Sequence, residues 1–125
     1  MRQPIGIISS IAVSSEVAYG TVIDLIKTRR FTLTGQCIFG TDPDGNVKFN
    51  IYYSPDGKNW DTEAYGSVEL TAVSATKVQK TAYVIVPEHG HFMIKAENVA
   101  TDVAATAVKA WFTIQDWTWP EMTRR

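Results

Sequence analysis

A chain of 125 residues, 45% of them hydrophobic, is long enough for one domain to bury roughly two thirds of its unfolded surface and so to fold without metal or disulfide staples. Its formal net charge of −1 gives no electrostatic case for nucleic acid or an anionic membrane as partner. Cys37 is the single cysteine, which excludes an intramolecular disulfide and leaves the redox compartment open.

The first apolar run, residues 5–13, is interrupted by Gly6, Ser9 and Ser10 and is too short to span a bilayer. It reads as an N-terminal arm over residues 1–16. Its Ile5, Ile7, Ile8 and Ile11 are expected at contacts with neighbouring subunits, which would hold the terminus down. Residues 17–26 also fail to alternate cleanly, the pattern of a segment buried on both faces. Lys27, Arg29 and Arg30 then form a short basic run that reads as a solvated strand entry.

A cleaner strand follows. Phe31, Leu33, Gly35, Cys37 and Phe39 alternate with Thr32, Thr34, Gln36 and Ile38, which puts Cys37 on the core face as a small, inert hydrophobe. Asp42, Asp44 and Asn46, at spacing two around Gly45, have the look of an opening calcium loop. No bidentate Glu follows, however, and the chain runs straight into a hydrophobic strand, so Pro-Asp-Gly is read as a turn.

That next strand organises the chain. Val47, Phe49, Ile51 and Tyr53 fall on one side, and Lys48, Asn50 and Tyr52 on the other. Pro55 presets φ, Asp56 can bond its own backbone and Gly57 tolerates positive φ, so a tight hairpin is expected to return Trp60 over the hydrophobic face. Alternation resumes at Val68, Leu70 and Ala72, again at Thr81, Tyr83 and Ile85, and again at Phe92, Ile94 and Ala96. Val99, Val103, Ala107 and Ala110 fit helical spacing. The β-branched content of that stretch favours a loop feeding a strand through Val108, Ala110, Phe112 and Ile114.

Val, Ile and Thr dominate the chain while Leu occurs only at 25, 33 and 70, which favours pleated packing over helices. The fold class that follows is all-β: a two-sheet antiparallel sandwich or jelly roll of about eight strands, over residues 17–116, with the arm before it and an extended C-terminal tail over 117–125.

Little in the chain supports catalysis. His89 and His91 are the only histidines, and two imidazoles in a turn are at most half a zinc site, so a solvated loop is the reading there. No nucleophile elbow, phosphate-binding glycine loop or paired acid and base is visible; no catalytic residue is assigned and no cofactor is expected. The aromatic residues are the remaining lead. Trp111, Trp117 and Trp119 crowd the C-terminal end, and if Phe112 is core then Trp111 points outward, as the anchor of a protein interface or a stacking platform for a sugar ring.

The segment from Tyr52 through Ser54, Pro55, Asp56, Gly57 and Trp60 to Asp61, with Phe31 to Gly35 before it and Phe92 to Asn98 after it, resembles small β-sandwich proteins of tailed bacteriophages and related viruses. It is less similar to discoidin-like carbohydrate-binding domains, which carry a comparable hairpin ahead of a Trp. The first resemblance implies a virion accessory subunit, a capsid decoration or tail component, that forms homo-oligomers, a trimer being one closure, and that contacts a capsid or tail protein. The second implies glycan binding at the cell surface or outside the cell.

Overall fold

The structure is a computed structural model that describes residues 2–24, 30–85 and 90–114. Among these, eight strands occur: β1 (Arg2–Ile11), β2 (Ser15–Asp24), β3 (Arg30–Ile38), β4 (Val47–Ser54), β5 (Gly66–Leu70), β6 (Lys77–Ile85), β7 (His91–Asn98) and β8 (Ala105–Ile114). The first pairs with the last, β2 with β7, β3 with β6 and β4 with β5, all antiparallel. The chain is thus one long hairpin folded over on itself. Pairing of β3 with β8 and of β4 with β7 closes two four-stranded sheets, β1-β8-β3-β6 and β2-β7-β4-β5. This is a jelly-roll sandwich.

Alternation fixes which side of each strand faces in. Leu33, Gly35 and Cys37 from β3, and Val108, Ala110 and Phe112 from β8, meet Val47, Phe49 and Ile51 from β4 and Phe92, Ile94 and Ala96 from β7 in the layer between the sheets. Gly35 faces Phe49 so closely that a Cβ there would lie 2.4 Å from the ring. A glycine in mid-strand, ordinarily unfavourable, here makes room for a fully buried phenylalanine ring. The Tyr19 hydroxyl crosses from β2 to donate to the carbonyl of Val108 at 3.1 Å, and burial pushes its pKa up. Burial likewise raises the Cys37 thiol to about 12, which keeps it protonated and unreactive.

Residues 2–11, read from the sequence as part of an arm, run along β8 as the edge strand of their sheet, and Ile11 is fully buried in the core. The broken alternation that suggested an arm has a local cause. The β1–β8 register shifts by one residue between Pro4 and Gly6, which exchanges inward and outward positions there, whereas the β2–β7 shift between Ala18 and Val22 leaves Val17, Tyr19 and Ile23 all turned inward. Those irregularities blunt the β1 and β2 edges, β5 is only five residues long, and edge strand β6 places Lys80 opposite Gly35 on its inner side.

At one end of the sandwich the loops after β1, β3, β5 and β7 are stitched together. Ser14 N–H donates to Ala100 O at 2.9 Å, Val99 N–H to Asn46 O at 2.9 Å, Ala75 N–H to Gly40 O at 2.8 Å and Ala72 N–H to Asn46 Oδ1 at 2.8 Å. Buried Asn98 completes the end: its amide donates to Ile11 O and Val103 O while its oxygen accepts from Ala100 N–H.

Candidate assembly surfaces

The outer face of the β1-β8-β3-β6 sheet follows from the positions that do not face the core. On β3 these are Thr32, Thr34, Gln36 and Ile38. Register places Trp111 and Thr81 on either side of Thr34, and Lys109 and Gln79 on either side of Gln36. Beyond β8, Ile7 lies opposite Lys109 and Pro4 opposite Trp111. The hydroxyls of Thr34 and Thr81 share a hydrogen bond of 2.8 Å, and Gln36 Nε2 donates to Gln79 Oε1 at 2.7 Å. Trp111 is half-buried on this face, with Phe112 buried beneath, the arrangement the alternation implied.

Ile7 is 69% exposed beside Lys109, the largest exposure among the large apolar side chains described. Of the other expected contact residues, Ile8 packs against the core, Ile11 is core, and Ile5 lies on β1 with its side chain outside the described set. Trp117 and Trp119 lie outside the described residues. Ile11 is therefore withdrawn from the contact set: its side chain is fully buried in the core between the sheets.

The outer face of the other sheet is built differently. Glu16, Glu97, Lys48 and Glu69 stand in one cross-strand row. Two carboxylates directly opposite each other repel, and Asn50, 7% exposed, answers this by donating its amide to both Glu16 Oε2 (2.8 Å) and Glu97 Oε1 (3.1 Å). The Tyr52 hydroxyl also donates to Glu16 Oε2, at 2.9 Å, and Lys95 Nζ sits 4.7 Å from the Tyr52 ring centroid. Burial, then Glu16, raise the pKa of that phenol. Val22, Met93 and Tyr52 form an apolar row farther along, with Val22 47% exposed.

Charge is sorted between the two layers. The strands of the β1-β8-β3-β6 sheet carry Arg2, Arg30, Lys77, Lys80 and Lys109 and no Asp or Glu. The strands of the other sheet carry Glu16, Asp24, Glu69 and Glu97 against Lys48 and Lys95. The near-zero net charge conceals this, and the sequence reading, which weighed only the total, missed it. Assigning each charged residue to its strand and then to its sheet is the signal that finds it.

The organising hairpin is a wider loop than expected, since β5 begins only at Gly66. Its core is Asp56. Oδ1 accepts from the Ser54 hydroxyl and from the N–H groups of Lys58 and Asn59, and Oδ2 accepts from Asn59 Nδ2 at 2.7 Å. Those donors hold the carboxyl well below the usual carboxylate range. Gly57 takes the positive φ of 77° that the turn requires, and Pro55 and Asp56 are exposed. Trp60 is half-buried and does not join the core cluster. Tyr53 does the inward packing instead, edge-on to Phe92 with ring centroids 5.7 Å apart.

The candidate ion ligands are engaged or dispersed. Thr101 bonds both oxygens of Asp44, through its N–H to Oδ1 and its hydroxyl to Oδ2, and lowers that carboxyl's pKa. Asp42 donates its N–H to Ser74 Oγ. His91 lies on β7 against Gly57 with Nδ1 buried and unpartnered, and His89 lies outside the described residues. Among the described residues no group of three His, Cys, Asp or Glu side chains gathers to hold an ion. Compared with known protein families and with curated proteins, the chain matches none.

Proposed function

We propose that this chain is a non-enzymatic structural subunit that assembles with copies of itself or on a larger particle, and that the particle is a virion in which it serves as a capsid decoration or other component. The observation that carries the reading is Ile7, 69% exposed beside Lys109 on a sheet whose strands carry no acid. An isoleucine gains about 1.5–3 kcal/mol on full burial, so covering what Ile7 leaves open would stabilise a contact by roughly 1–2 kcal/mol. Jelly rolls are a recurrent architecture of capsid proteins, and the phage-like hairpin segment points the same way.

Light scattering at micromolar concentration tests it. The wild-type chain should run as a multiple of its own mass, and Ile7→Glu should raise the apparent dissociation constant about tenfold or more, the equivalent of 1.4 kcal/mol. A strict monomer, unmoved by the substitution, would end the proposal.

A second reading has its own support. An indole flanked by the Thr34–Thr81 and Gln36–Gln79 pairs is also what a sugar-binding platform requires. A monomeric protein that binds glycans on an array and loses that binding in Trp111→Ala would favour it.

A further inference from the structure

We infer that copies of this chain stack front to back, the basic outer face of the β1-β8-β3-β6 sheet of one copy seated on the acidic outer face of the β2-β7-β4-β5 sheet of the next. This rests on the reading of the chain as a self-assembling subunit and adds which two surfaces meet. Because the surfaces differ, the contact is heterologous, and repetition gives a ring or an open stack.

Complementary charge is the first argument. One layer has no acid on its strands and turns Lys77 and Lys109 outward by register, and the other has four acids against two lysines. Spacing is the second. Lys109 and Lys77 sit two strands apart and two residues out of line, which puts their backbones about 12 Å apart. Glu97 and Glu69 flank Lys48 two strands apart in one row, at about 10 Å. With the two lysines over the two glutamates, the uncharged Gln36 and Ile38 bracket the position opposite Lys48. The third argument is apolar: Ile7 and Trp111 on one face have a counterpart in Val22, Met93 and Tyr52 on the other. Face against like face would instead oppose cation to cation.

Charge exchange tests the inference. A basic-face variant, Lys77→Glu with Lys109→Glu, and an acidic-face variant, Glu69→Lys with Glu97→Lys, are each expected to stay monomeric at concentrations where the wild type associates. Mixing them one to one should restore association, since every contact again joins opposite signs. Raising salt from 50 to 500 mM should weaken wild-type association about tenfold, and this measurement stands even if a variant fails to fold.

An acidic-face variant that associates like the wild type, a mixture that stays monomeric, or salt-independent association would each overturn the stacking while leaving self-assembly intact. A wild type that is monomeric throughout would remove both. Retention of a monomeric wild type on heparin, lost in the basic-face variant, would assign that face to an anionic polymer and overturn the stacking as well.

Discussion

Replacing Gly35 with alanine probes the closest approach of the two sheets. The added methyl would lie 2.4 Å from both Cδ1 and Cε1 of Phe49 and 2.9 Å from its Cγ. Carbon atoms in contact prefer about 3.5–4.0 Å, so the ring would have to retreat by about 1 Å or more. Phe49 is fully buried among side chains from both sheets and has no free space to move into. Gly35 is not at positive φ, so the backbone tolerates alanine and even gains about 0.5–1 kcal/mol from the lost freedom of glycine. Overpacking costs roughly 1–3 kcal/mol, with the upper end expected against a rigid ring.

The net is a loss of about 2 kcal/mol. For 125 residues, each contributing about 2.1 cal/mol/K of unfolding entropy, that lowers Tm by roughly 8 °C. Urea denaturation and calorimetry measure it. Phe49→Leu alone should cost about 1–2 kcal/mol for the void it leaves, and in that background Gly35→Ala should be nearly neutral, because the methyl enters the vacated volume. Should Gly35→Ala fall within 0.5 kcal/mol of wild type, or cost the same in both backgrounds, the assignment of Gly35 as the seat of the Phe49 ring is wrong.

Two further outcomes follow from the loops. The Asp56 carboxyl is held ionised by its donors, so its folded pKa lies below the unfolded value of about 3.9; the stability it lends is present above that pH and is lost as pH falls towards the folded value. Asp56→Asn should therefore melt lower than wild type at pH 7 and show a shallower loss of Tm between pH 5 and 2.5, and parallel curves would count against the role assigned to the charge. At the stitched end, Asn98→Ala removes three hydrogen bonds and strands Ala100 N–H, Ile11 O and Val103 O, so denaturation should register a loss of about 2–3 kcal/mol. A loss below about 1 kcal/mol would mean that other groups satisfy these partners.

Much of the architecture was legible where one face of a strand is buried and the other is wet. From Phe31 to Phe39, Val47 to Tyr53 and Phe92 to Ala96, polar and apolar residues alternate because the pleat sends them to opposite sides, and the strands lie where that pattern puts them. It failed where the ladder itself is irregular. Ile5, Ile7, Ile8 and Ile11 looked like one greasy arm because Ile8 and Ile11 turn inward while Ile7 turns out, a departure from strict alternation that the residues of one strand alone do not mark. The Asp56 turn was read correctly from its own chemistry, yet its length was not, since Tyr65 N–H reaches back to Ile51 O across a loop whose closure depends on the partner strand.

By itself, then, the order of residues determined that this chain makes short half-buried strands joined by Pro, Asp and Gly turns, with Leu33, Phe49 and Phe92 inside, because burial and turn geometry are properties of neighbouring residues. Only the tertiary structure decided that the first, third, sixth and eighth strands share one layer, and with it that this layer's strands hold five cationic residues and no acid while the other layer's strands hold four carboxylates. The physical reason is that local pattern sets which side of a strand is apolar, whereas strand partnership is set by contacts between residues far apart in the chain, and the electric polarity of the sandwich exists only once those partners are chosen.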